Sequence, residues 1–245
     1  MTQPLGNRVA LVTGASRGIG RAAALGLAAA GAHVVAVART VGGLEELDDE
    51  IRAAGGAATL VPLDLKDFAA IDRLGAAIYE RWGRLDMLLG NAAVLGVITP
   101  LGHLAPKIFE ELMAINVTAN WRLIRSMDLL LRQSDAGRVL FLTSDEAERG
   151  RPYWGPYAAS KAALQALALA YAAELKSTPV TVNLFDPGAI RSKLRTQGRP
   201  GEDPEGVPPP ETVVSEIVRL LSPGFDGTGA TIRFAREDAR DRAGS

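Results

Sequence analysis

Short apolar runs, rich in β-branched residues, recur along the chain at 9–13, 33–38, 58–62, 85–90, 138–143, 180–185 and 231–234. Six of the seven are continuously apolar rather than alternating. Strands buried on both faces have this pattern. Between them, Ala, Leu and charged residues repeat with helical spacing over 18–30, 41–54, 67–82, 105–133 and 157–176, and more weakly over 211–222. Strand alternating with helix predicts a parallel sheet with helices on both faces, the doubly wound α/β architecture. No shift in composition divides the chain, so one domain over 1–245 is expected.

The first strand runs directly into Thr13-Gly14-Ala15-Ser16-Arg17-Gly18-Ile19-Gly20, and a helix follows. Glycines let the backbone turn tightly and approach a pyrophosphate, while the helix start offers free N–H groups and partial positive charge. The spacing is G-x-x-x-G-x-G, and its strand–turn–helix setting points to a dinucleotide site of Rossmann type. In such folds an acidic residue about 20 positions on binds the adenosine ribose, or an arginine accepts a 2′-phosphate instead. Here the second strand ends Val37-Ala38-Arg39-Thr40, with no acid at that end. Arg39 and Arg17 can hold a phosphate together. NADP(H) is therefore expected over NAD(H). The segment 14–18 also spells G-x-S-x-G, the elbow of a hydrolase nucleophile. That chemistry needs a histidine late in the chain, and the two histidines are His33 and His103.

Ser144 lies just beyond the fifth strand, and Tyr157 stands four residues before Lys161, on one helix face. A tyrosine titrates near ~10, so phenolate chemistry at neutral pH needs roughly 4 kcal/mol of stabilisation. A neighbouring ammonium acts in that direction, as does an oxidised nicotinamide.

Taken in order, Thr13-Gly14-x-x-x-Gly18-x-Gly20, Asp64-Leu65, Asn91-Ala92, Asn116, Ser144, Tyr157-x-x-x-Lys161 and Pro187-Gly188 resemble the short-chain dehydrogenase/reductase family over nearly the whole chain. The resemblance implies a Rossmann-type, doubly wound, seven-stranded parallel sheet and an oxidoreductase passing hydride between nicotinamide C4 and a carbonyl or secondary alcohol. It implies Tyr157 as general acid/base, Lys161 as the group lowering its pKa and binding the nicotinamide ribose, and Ser144 as donor to the reacting carbonyl. Asn116 would hold a water of the proton relay. For the cofactor it implies Gly14, Ser16, Arg17, Gly18, Ile19, Gly20, Arg39, Asn91 and Ala92, with Asp64 and Leu65 at the adenine. Pro187, Gly188, Ile190 and Ser192 would lie at the nicotinamide carboxamide. The family usually shows Asn-Asn-Ala-Gly after the fourth strand; this chain has Gly90-Asn91-Ala92-Ala93. The residues after Ser144, Asp145-Glu146-Ala147-Glu148, are expected to form a solvated loop; lining the pocket, they would disfavour carboxylate substrates. A catalytically idle dinucleotide-binding regulator is the alternative function.

Composition narrows the rest. The chain has 245 residues, 47% apolar, no cysteine, and charges that nearly cancel, 27 basic against 28 acidic. Disulfide scaffolds are excluded, and neither nucleic acid nor an anionic membrane has an electrostatic reason to bind. With no cysteine and two histidines, no metal is expected. The start lacks an apolar signal core and no run is long enough to span a membrane, so the cytoplasm is expected. The stretch 196–210 holds five prolines and three glycines. Its place after the sixth strand suggests a mobile substrate lid, over 194–210. The helix from Tyr157 to Leu175 has Lys161 and Glu174 as its only charges, which suggests a buried face and a homodimer or homotetramer.

Overall fold

The computed structural model describes residues 4–234. Among them, seven strands form one parallel sheet in the order β3-β2-β1-β4-β5-β6-β7. The strands are β1 Val9–Thr13, β2 His33–Ala38, β3 Ala57–Pro62, β4 Met87–Gly90, β5 Arg138–Leu142, β6 Thr181–Asp186 and β7 Thr231–Arg233. The order reverses between β1 and β4, which opens a crevice at the carboxyl ends of the strands. Helices α1 Gly18–Ala29, α2 Val41–Ala53 and α8 Val214–Leu220 cover one face. On the other lie α3 Phe68–Trp82, α5 Ala119–Arg132 and α6 Gly155–Glu174. Side chains of β1 alternate between the two cores. Val9 and Leu11 pack with Ile71, Leu123 and Leu164; Ala10 and Val12 pack with Leu27, Leu44 and Ile217. The continuous apolar runs follow from this two-sided burial.

Two expected elements differ in outline. The single helix expected over 105–133 is α4 Pro106–Met113 and α5, joined by a π-helical turn, Ala114–Thr118. The segment 194–210, expected as a lid, opens with a short helix, α7 Lys193–Gly198, capped by the Ser192 hydroxyl, which accepts from Arg195 N at 3.2 Å.

The opposite end of the sheet is knotted around Asp86, a carboxylate with no exposure. Its oxygens accept from Val9 N at 2.8 Å, Ser134 Oγ at 2.7 Å, Arg8 Nη1 at 3.1 Å and Arg84 Nε at 3.2 Å. Its backbone N–H donates to Val9 O and its carbonyl accepts from Arg138 N. Asp86 thereby ties together the starting residues of β1 and β5, immediately before β4 begins. The burial is sustainable because every oxygen is paired.

Candidate active site

A cleft of about 830 Å³ opens along the carboxyl ends of the strands. At one end lies the turn between β1 and α1. Gly14 and Gly18 have φ of +67° and +57°, in the left-handed region where a side chain is strained. Gly20 is required for a different reason: a Cβ there would collide with the Gly14 carbonyl and with Asn91 Nδ2. Thr13, just before the turn, fixes the neighbouring loop. Its hydroxyl accepts from Asn91 N at 3.0 Å and Ala92 N at 3.1 Å and donates to Leu89 O. The first turn of α1 has neither a side-chain cap nor an acid, so its N–H groups face the cleft unpaired. Arg17 and Arg39 are exposed on the same wall, and among the described residues neither forms an ion pair. Asp64 and Leu65 line this end too, the Asp64 carboxylate accepting from Lys66 N at 3.0 Å. A cradle without side chains, an uncapped helix start and two unpaired guanidiniums fit a phosphorylated dinucleotide.

The other end holds the expected catalytic side chains. Ser144 follows β5, and its Oγ accepts from Glu146 N at 3.3 Å. Tyr157 and Lys161 stand one turn apart on α6, both buried at its cleft-facing end. Lys161 Nζ donates to Leu142 O at 2.8 Å and lies 5.7 Å from the centre of the Tyr157 ring. Burial lowers the Lys161 pKa to about 8, against an opposing pull from Asp186. Burial also pushes the Tyr157 pKa above its ordinary value, and the charges of Asp186, Glu146 and Asp145 add to this. In the protein alone Tyr157 is therefore a neutral phenol at pH 7. Desolvation and these carboxylates set the direction of its shift.

Pro187, Gly188, Ile190 and Ser192 line the cleft beyond β6, as do Ser16, Ile19 and Ala92. Asn116 does not. It sits in the π turn without exposure. Its Oδ1 accepts from Val94 N at 2.9 Å, and its Nδ2 donates to Val94 O at 2.9 Å and Ser160 Oγ at 3.0 Å. Ser160 in turn donates to Tyr157 O at 2.8 Å. Asn116 therefore links the loop after β4 to the turn of α6 that carries Tyr157, and both polar ends of its side chain are committed.

The acidic segment is not the solvated loop expected. Glu146 is buried against the cleft and paired with Arg151 at 2.9 Å; Asp145 also lines the cleft and pairs with Arg149 at 3.2 Å. Asp186, absent from the sequence-based set, ends β6 inside the cleft and accepts from Gly188 N at 3.0 Å. Its place directly before Pro187-Gly188 was the signal available. Trp154 forms a wall, its ring 6.1 Å from that of Tyr157 at 73°. Gly90, where the family usually has Asn, lies under the Phe141 ring; a Cβ would fall 2.6 Å from Phe141 Cε1 and 2.9 Å from Asn120 Oδ1.

Neither histidine lines the cleft. His33 packs at the far end of β2 on Trp82 and hydrogen-bonds Thr59 Oγ1 at 2.8 Å. Ser16 accordingly has no histidine partner. Among the described residues no His/Cys/Asp/Glu cluster suits a metal ion, and no helix is long and apolar enough to cross a membrane.

A family model for short chain dehydrogenase matches residues 8–203. The uncharacterized oxidoreductase YciK of Escherichia coli K12 is 34% identical over 89% of this chain and 87% of its own. An uncharacterized NAD-dependent oxidoreductase of Mycobacterium tuberculosis H37Rv is 34% identical over 78% of this chain and 74% of its own. The structure of a short chain dehydrogenase from Shigella flexneri 2a, complexed with NADP, superposes with a TM-score of 0.91 at 33% identity, covering 95% of this chain and 99% of that one. Fold, motif order and similarity agree: the chain belongs to the short-chain dehydrogenase family of oxidoreductases.

Proposed function

We propose that this protein is an NADP(H)-dependent carbonyl reductase or alcohol dehydrogenase, with Tyr157 exchanging the proton at the substrate oxygen. One observation carries this: Ser144, Tyr157 and Lys161 line the same cleft as the glycine turn, Arg17 and Arg39. When bound, the nicotinamide supplies the hydride chemistry. The glycine turn and the start of α1 hold the pyrophosphate. Arg17 and Arg39 take the 2′-phosphate, and Asp64 with Leu65 meets the adenine. Asn91, Ala92, Pro187, Gly188, Ile190 and Ser192 flank the nicotinamide half. Ser144 donates to the substrate oxygen, and Tyr157 gives or takes its proton. Lys161 holds a positive charge beside the phenol, which favours phenolate once further positive charge enters the cleft. Asn116 acts as a positioning residue, through Val94 and Ser160.

The residues form a single domain acting in the cytoplasm on a small molecule, with 194–210 as its lid. α6 and α5 leave Leu169, Trp121 and Leu129 exposed, which supports association into a homodimer or homotetramer.

The test is a panel of ketones, aldehydes and alcohols with NADPH and NADP⁺. Tyr157→Phe abolishes turnover while NADPH binding, followed by its fluorescence, persists. Turnover that survives Tyr157→Phe refutes the assignment. Doubling Arg17→Ala with Arg39→Ala raises KM for NADPH more than for NADH; a parent enzyme that prefers NADH refutes the cofactor choice.

A further inference from the structure

The short helix α7 spans the cleft from its cofactor end to its substrate end. At its start, the Ser192 Cβ lies 3.9 Å from where a Cβ on Gly18 would stand. At its end, Gly198 packs so closely on Trp154 that an added Cβ would fall 2.7 Å from the indole. Arg199 follows at once, its guanidinium carbon 6.0 Å from the Trp154 ring centre. Trp154 in turn touches Tyr157. The Arg199 charge is thus within about 12 Å of the proposed proton donor, with an aromatic wall between them.

Charge pairing and burial together distinguish Arg199 from its neighbours at this end; Lys193 also forms no ion pair among the described residues, but it is exposed. Asp145 and Glu146 are ion-paired with Arg149 and Arg151. Arg191 and Arg195 pair with Glu205 and Glu202. Among the described residues Arg199 forms no ion pair; Glu202, whose carboxyl feels its charge, is held by Arg195, and Arg199 lines the cleft half-buried. A half-buried guanidinium facing a cavity is best satisfied by an anion, held through paired N–H donors.

We infer that the substrate carries an oxyanion, of which a carboxylate is the simplest, that pairs with Arg199 while the substrate body lies along Trp154 and presents its carbonyl to Tyr157. The inference rests on the carbonyl–alcohol function proposed above and names its substrate class. The sequence leads to a solvated loop after Ser144 that would disfavour carboxylates only by lining the pocket; Asp145 and Glu146 do line it, but each is held in an ion pair.

The probe pair is 4-formylbenzoate and its methyl ester, reduced by the full-length enzyme with NADPH. The carboxylate is expected to be preferred at least tenfold in kcat/KM. Arg199→Gln should reduce that preference tenfold or more, chiefly through KM, and Arg199→Lys should recover part of it. Equal or better use of the ester, or a preference unchanged in Arg199→Gln, overturns the inference. A second readout needs no turnover: 4-formylbenzoate should quench tryptophan fluorescence saturably, at least tenfold more weakly in Arg199→Gln. Lack of saturable, Arg199-dependent quenching overturns it as well. Arg199-dependent binding with no reduction of either aldehyde would remove the proposed activity and leave the anion site standing. Reduction of both without preference would do the opposite.

Discussion

Gly90 and Phe141 share one space, and that sharing predicts a measurable coupling. Phe141 on β5 is fully buried, with its ring over Gly90 on β4. Gly90→Ala places a methyl group about 2.6 Å from Phe141 Cε1, where carbon atoms normally stand near 3.5–4.0 Å. The methyl group cannot escape on its other side, where Asn120 Oδ1 would stand 2.9 Å from it. Overpacking of this kind costs about 1–3 kcal/mol. Replacing glycine by alanine in a strand returns about 0.4–1 kcal/mol by restricting the unfolded chain. The net expectation is a loss of about 1–2 kcal/mol. Phe141→Ala alone should cost about 3–5 kcal/mol through the cavity it leaves. In the double variant the new methyl group enters that cavity. The double variant should then be less destabilised than the sum of the singles by about 1–3 kcal/mol. Urea unfolding of the four proteins at one protein concentration measures this. Additivity within about 0.5 kcal/mol, or a Gly90→Ala protein as stable as the parent, would refute the steric account.

Three further outcomes are expected. Lys161→Met should unfold at higher urea than the parent at pH 7, even as activity is lost. The unfolded chain holds this proton more tightly than the folded one, whose Lys161 pKa is about 8, so parent stability rises as pH climbs from 8 towards 10.5. The advantage of the variant should therefore shrink by about 3 kcal/mol between pH 7 and pH 10, at ~1.4 kcal/mol per unit; an advantage independent of pH would contradict the burial argument. Gly20→Ala should weaken NADPH binding tenfold or more in a fluorescence titration while circular dichroism stays native, and unchanged affinity would show that the Gly14–Asn91 contact is not part of the cradle. Asp186→Asn removes a charge that raises the Tyr157 pKa, so the acidic limb of the alcohol-oxidation pH profile should move to lower pH. A shift to higher pH would contradict it.

The five central strands were legible because each is buried on both faces and therefore continuously apolar, whereas the edge strands β3 and β7 are only partly covered. Their ends were less so. Leu85 and Asp86 read as part of a strand, but Asp86 is taken by Val9, Ser134 and two arginines before pairing begins. The π turn at Asn116 left no mark in the periodicity, because Ile115, Asn116, Ala119 and Asn120 are buried on one side in either geometry. The cofactor end of the cleft was readable, since glycine spacing and a missing acid are local signals. The substrate end was not. Glu146 meets Arg151 across a turn, and Arg199 meets Trp154 across 45 positions of sequence. Which charges stay unpaired is decided by tertiary contact.

The Asp86 knot has one more consequence, for the dimensions of the cleft. β1, β4 and β5 leave the same anchored baseline, run parallel for five, four and five residues, and deliver the glycine turn, the Asn91 loop and Ser144. Each strand is a ruler graduated at about 3.3 Å per residue from a shared zero. One residue added to a single ruler would raise its part of the site by that step while the other two stayed put. It would also exchange the side chains which that strand gives to the two cores. The spacing between phosphate, loop and serine is thus set at the end of the sheet farthest from all three.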